Sequence, residues 1–270
     1  MANLPKFLCG GIDAGEWPAY NSKAFTKALY KSRCNNVVLE ALAPCYSPTG
    51  FNNKTLDQIY AELAKFIKPI LLFDDLWVTL HLTNGNDDDI INKFGWENIC
   101  TKIVAKLIKD FGPKSNIIIC PVAETHGHAN EDKLIKYCMD NWMVKGGHLM
   151  FNGTGRPKSL PMGYSLIDYH SQNVDDSGPQ IGKMSLMDTD NGPMINYLRY
   201  GAPAGEYWNS ARVFDTAAKW KQAGNGMNLY SAGSHSSNLS ALKALGNIYN
   251  IRKKPNWFEK IIMELKLLIN

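Results

Sequence analysis

Residues 116–142 read NIIICPVAETHGHANEDKLIKYCMDNW. Asn116 to Val122 is a near-continuous apolar run, the composition a strand takes when both of its faces are buried in a parallel sheet. Glu124 to Asn130 then forms a polar loop, and Glu131 to Trp142 returns to apolar residues at helical spacing. Strand, short loop and helix in that order make the repeating half of a parallel α/β architecture.

The same unit recurs on both sides of this stretch. Upstream, runs at Lys6 to Ile12, Asn36 to Leu42 and Leu76 to Leu82 precede helical segments at Ser22 to Lys31, Leu56 to Phe66 and around Ile99, Ile103 and Leu107. Downstream come His148 to Phe151, Tyr164 to Tyr169, Gly182 to Met187 and Met227 to Ala232, with helices at about Trp208 to Gln222 and Leu239 to Tyr249. Eight runs with one direction of connection predict an α/β fold, a (β/α)8 TIM barrel over residues 1–250, irregular around strands five to seven where no good helix intervenes. An open doubly wound sheet uses the same units, but no glycine-rich phosphate turn follows the first strand. The last segment, residues 251–270, reads as a C-terminal helix packed on the outside of the barrel.

The 270 residues are 45% hydrophobic and 20% charged, an ordinary globular composition with material for one large core. A formal net charge of +4, with lysines scattered along helical segments, does not indicate nucleic acid. Arg252, Lys253 and Lys254 read as a solvated linker. No signal-peptide run opens the chain and no segment approaches a membrane span, so a cytoplasmic protein, or part of an assembly exported by another route, is expected. Cys9, Cys34, Cys45, Cys100, Cys120 and Cys138 contain no CxxC pair and read as reduced core residues, with no metal or other cofactor expected.

In such a barrel the residues just beyond each strand converge on one cleft. Polar groups gather there: His81, His126, His128, His170 and His235 fall at or after strand ends, and only His148 begins a strand. Asp13, Glu16 and Trp17 follow the first strand, Asn152 follows the fifth, and Asp188 and Asp190 follow the seventh. Glu124 stands directly after the clearest strand, where low dielectric favours its neutral form and suits a general acid. The bland reading makes it a cap for the next helix or a partner of Arg156. Trp17, Tyr46, Trp96, Tyr207 and Trp208 offer flat faces for sugar rings, or anchor helices. A zinc site on His126, His128 and a neighbouring acid is a third arrangement.

Glu124 after strand four, a carboxylate after strand seven, His81 at strand three and the pair Tyr169-His170 at strand six resemble the clan of (β/α)8 glycoside hydrolases. The resemblance implies that Glu124 is the acid/base and that Asp188 or Asp190 is the nucleophile. It implies a carbohydrate substrate touched by Asp13, Trp17, Tyr46, His81, His126, Asn152, Tyr169, His170 and His235. The chain departs from the clan in carrying Ala123 where Asn precedes the acid, Asp where the nucleophile is Glu, and Glu40 and Tyr46 where an arginine is usual near strand two. Those departures keep open a barrel without catalysis, serving as a glycan-binding or structural component of a larger assembly.

Overall fold

The computed structural model describes residues 3–13, 17–42, 53–84, 88–113, 115–152, 160–170, 185–188, 217–230 and 236–269. Eight parallel strands close into a barrel in sequence order: β1 (Cys9–Asp13), β2 (Asn36–Glu40), β3 (Trp77–Asn84), β4 (Ile117–Ala123), β5 (His148–Asn152), β6 (Leu166–His170), β7 (Ser185–Asp188) and β8 (Gly226–Tyr230). β8 pairs with β1, Gly10 opposing Asn228, which closes the ring. The predicted barrel is therefore present, with most strands beginning later than their apolar runs. Most also end beyond them toward the mouth, and β3 and β4, ending at Asn84 and Ala123, share the longest ladder.

Around the barrel lie α1 (Ser22–Ser32), α2 (Leu56–Ile67), α3 (Asp88–Phe94), α4 (residues 96–110, with a π-helical middle at Cys100–Val104), α5 (Ala129–Cys138, continued by a π-helical turn at Met139–Met143), α6 (Ser236–Tyr249) and α7 (Trp257–Ile269). Their starts are locally encoded. Asn21 Oδ1 accepts from the Ala24 N–H at the head of α1, and Thr55 with Gln58 satisfies free amides at the head of α2. The expected helix at about Trp208 to Gln222 is described only from residue 217, and residues 217–222 are helical. The absence of a helix between strands five and seven falls largely on residues 153–159 and 171–184, outside the described residues.

Strand alternation sorts the core into two shells. Val37, Leu39, Val78, Leu80, Ile117 and Ile119 face the helices, while Leu8, Trp77, Ile118, Met150 and Leu166 fill the barrel. Above that apolar plug the interior turns polar: Asn36 Nδ2 donates to Asn228 Oδ1 at 3.1 Å, and Thr79 Oγ1 donates to Asn36 Oδ1 at 3.1 Å. Asn36 and Asn228 meet across β1 because Gly10 lies between them in register; a Cβ there would sit 1.6 Å from the Asn36 carbonyl oxygen.

At the opposite end of the strands, Arg252 is not the solvated linker residue expected of it. Its guanidinium stacks on the Tyr30 ring at 3.8 Å and pairs with Asp75, leaving the side chain 9% exposed. A recess of about 590 Å³ lies beside it, lined among others by Asn35, Trp77 and Asn116. α7 inserts Met263 and Leu267 against the barrel, Lys27 pairs with Glu264, and Lys266 Nζ donates to the Leu72 carbonyl at 3.1 Å. Among the described residues no helix is long and apolar enough to cross a membrane. Cys9, Cys34, Cys100, Cys120 and Cys138 are buried, and Cys45 lies outside the described residues.

Candidate active site

Glu124 leaves the tip of β4 in a left-handed conformation, φ 52°. That region is costly for a residue with a Cβ, and non-glycine residues held in it concentrate at functional sites. Two hydrogen bonds to the tip of β5 hold it there: the Glu124 N–H donates to Asn152 Oδ1 at 3.0 Å, and the Thr125 N–H donates to the Asn152 carbonyl at 3.2 Å. Glu124 is half-buried.

The rest of the loop folds round a second carboxylate. Glu131, in the first turn of α5, is fully buried. Its Oε2 accepts from Thr125 Oγ1 at 2.8 Å and from the N–H groups of His126, Gly127 and His128 at 3.0, 2.9 and 3.2 Å. The carboxylate that takes these amides is Glu131, not Glu124. Arg156, the suggested partner of Glu124, lies outside the described residues.

The barrel register places other groups around the same end. His81 is buried on the inner face of β3, following Trp77 and Thr79 by alternation, and opposes Glu40 on β2. In the sequence Glu40 draws notice only as a residue standing near strand two where an arginine is usual. In the sheet register Asp188, the last residue of β7, opposes Asn228 on β8 and His170 on β6. Asn152 opposes Asp168.

Other expected contacts fall elsewhere. Trp17 is no sugar platform: it is 1% exposed, packs on Phe66 with ring centroids 5.4 Å apart, and donates its indole N–H to the Glu40 carbonyl at 3.1 Å. Burial of a large ring behind β2 outweighed the loop position that suggested exposure. Asn152 is buried, with its amide oxygen taken by the Glu124 backbone. In the sheet register Asp13 opposes Leu39 and Tyr169 opposes Met187. His126 is exposed, its ring centroid 6.0 Å from that of His128. Trp96 is partly buried against the core, which makes it a helix anchor. Among the described residues, no three His, Cys, Asp or Glu side chains come together as a metal-ligand set. Tyr46, Asp190, Tyr207, Trp208 and His235 lie outside the described residues, as do the side chains of Asp13, Tyr169, His170 and Asp188.

No protein-family model matches the chain, and no curated protein matches it in sequence. Solved structures match in fold. An endo-beta-1,4-mannanase from Thermotoga petrophila aligns over 94% of this chain and 80% of its own, with TM-score 0.55 and 10% identity. A GH5-4 broad specificity endoglucanase from an uncultured bacterium aligns over 91% and 94%, with TM-score 0.53 and 8% identity. A trimodular GH5_4 subfamily endoglucanase aligns over 89% and 60%, with TM-score 0.58 and 10% identity. The chain thus has the (β/α)8 fold that these glycoside hydrolases share, at an identity that speaks to fold alone.

Proposed function

We propose that this barrel is a glycoside hydrolase acting on a polysaccharide or glycan, with Glu124 as proton donor and Asp188 or Asp190 as the opposing carboxylate. The observation that carries the reading is the left-handed Glu124 at the tip of β4, pinned through its own N–H to Asn152. A strained carboxylate at the carboxyl end of a barrel strand stands where barrel enzymes keep their chemistry. Asp188, at the end of the strand three places round the ring, supplies the second carboxyl that glycosidic cleavage needs. Glu124 protonates the leaving oxygen; the aspartate attacks the sugar, or activates a water if the two carboxyls stand about 6.5–9.5 Å apart.

The fold neighbours make β-1,4-linked mannan and glucan the first substrates to offer. Glu124→Gln removes the transferable proton at almost constant shape, and hydrolysis should fall by about 10²–10⁴-fold. Activity unchanged in that variant would sink the assignment. Ala123, standing where the clan has Asn, favours a second reading: a glycan-binding or structural barrel without catalysis. On that reading, Glu124→Gln leaves polysaccharide retardation in affinity electrophoresis untouched and no reducing ends appear with either protein.

A further inference from the structure

Every backbone N–H from Glu124 to His128 donates to one of two residues. Asn152 takes the first two, through its side-chain oxygen and its carbonyl, and Glu131 Oε2 takes the next three together with the Thr125 hydroxyl. Asn152 belongs to β5, inside the barrel wall. Glu131 belongs to α5, the helix that the loop leads into.

A single buried oxygen accepting four donors is an anion at the centre of a nest of amides, and hydrogen bonds to an ionised acceptor are about twice as strong as neutral ones. The other oxygen, Oε1, is buried with no hydrogen-bond partner among the described residues. The His128 N–H among these donors makes Glu131 the N3 member of the capping box that starts α5. The same carboxylate fixes the path of the four residues that follow Glu124.

We infer that Glu131 is a positioning residue for Glu124: its carboxylate builds the β4–α5 loop and thereby sets the left-handed backbone that presents the proton donor. The inference rests on the proposed role of Glu124. The link is short. Thr125 bonds to Asn152 through its N–H and to Glu131 through its hydroxyl, so a shift of the Glu131 cage reaches the residue next to Glu124 across a single side-chain torsion.

Glu131→Gln keeps size and one acceptor but removes the charge. Its kcat on β-1,4-linked mannan or glucan should fall about 100-fold with KM nearly constant, as expected when a reacting group is misplaced by about 1 Å. Gly246→Ala, a change in packing on α6 away from the loop, serves as the control for a general structural disturbance and should leave kcat unaltered. Thr125→Val removes one donor of four and should lower kcat several-fold, which keeps the inference testable if Glu131→Gln does not fold. A second readout needs no turnover: in the three-bond HN–Hα coupling and 13C shifts of residue 124, the left-handed signature should be lost in Glu131→Gln. If Glu124 keeps that signature and the amides of His126, Gly127 and His128 exchange at unchanged rates, the positioning role is overturned, whatever the activity. If Glu124→Gln is fully active, the hydrolase reading fails separately.

Discussion

At the scale of single residues, the conformation of Glu124 separates from its chemistry. A Cβ in the left-handed region costs roughly 1–2 kcal/mol, and glycine is exempt. Glu124→Gly should therefore be more stable than Glu124→Ala by about 1 kcal/mol, although both lack the carboxyl; urea unfolding of the two variants measures the difference. Equal stability, or Ala above Gly, would contradict the left-handed backbone. Asn152 and Trp17 teach the complementary lesson. Each was picked because it follows a strand, yet both side chains turn inward, one to hold a backbone N–H and the other to fill space behind β2.

At the scale of elements, the helices are written locally and placed by packing. Asn21, Thr55 and Gln58 announce helix starts that the sequence alone reveals. What sets α6 against α1 is a glycine that looks unfavourable in isolation. A Cβ on Gly246 would lie 1.9 Å from the Ser32 carbonyl oxygen at the end of α1. Helix propensity alone predicts that Gly246→Ala stabilises by about 1 kcal/mol; the close approach predicts a loss of about 1–3 kcal/mol from overpacking. Denaturant unfolding decides by sign, and a gain would mean the two helices are not in contact there.

Across the whole molecule, buried acids of the neutral kind give the fold an alkaline weakness. Burial, with a contribution from Cys34, pushes the Cys9 thiol well up; burial, with a contribution from Cys100, does the same to Cys138, and burial raises Cys100 to about 12. Burial also raises the Tyr249 phenol, whose O–H donates to the Asn225 carbonyl at 2.9 Å. Because the folded protein keeps protons that the unfolded chain releases, this stability is fully present below the unfolded values, about 8.5 for thiols and 10 for phenols. It is lost as pH rises toward the folded values. Each such group should cost about 1.4 kcal/mol per pH unit in that window. Melting temperature against pH should be flat near neutrality and fall above about pH 9, and the described thiols should resist a disulfide reagent until unfolding. Rapid reaction of Cys9 or Cys138 in the native state would contradict their burial.

The barrel was legible in the sequence because its signal is additive. Eight apolar runs, each short and none decisive alone, share one spacing and one connection, and the stretch around Ile117–Ala123 shows the repeating unit most clearly. Glu124 stood out for the same reason, as the first charge after an uninterrupted buried strand. Register and direction were not legible. Whether a residue at a strand tip faces the mouth or the helices depends on an alternation that a one-residue uncertainty in the strand end reverses. Glu131 was equally hidden. In sequence it is one more acid in the first turn of a helix; only the tertiary structure, by burying it and folding four loop residues, Thr125 to His128, onto one of its oxygens, makes it a centre of the site.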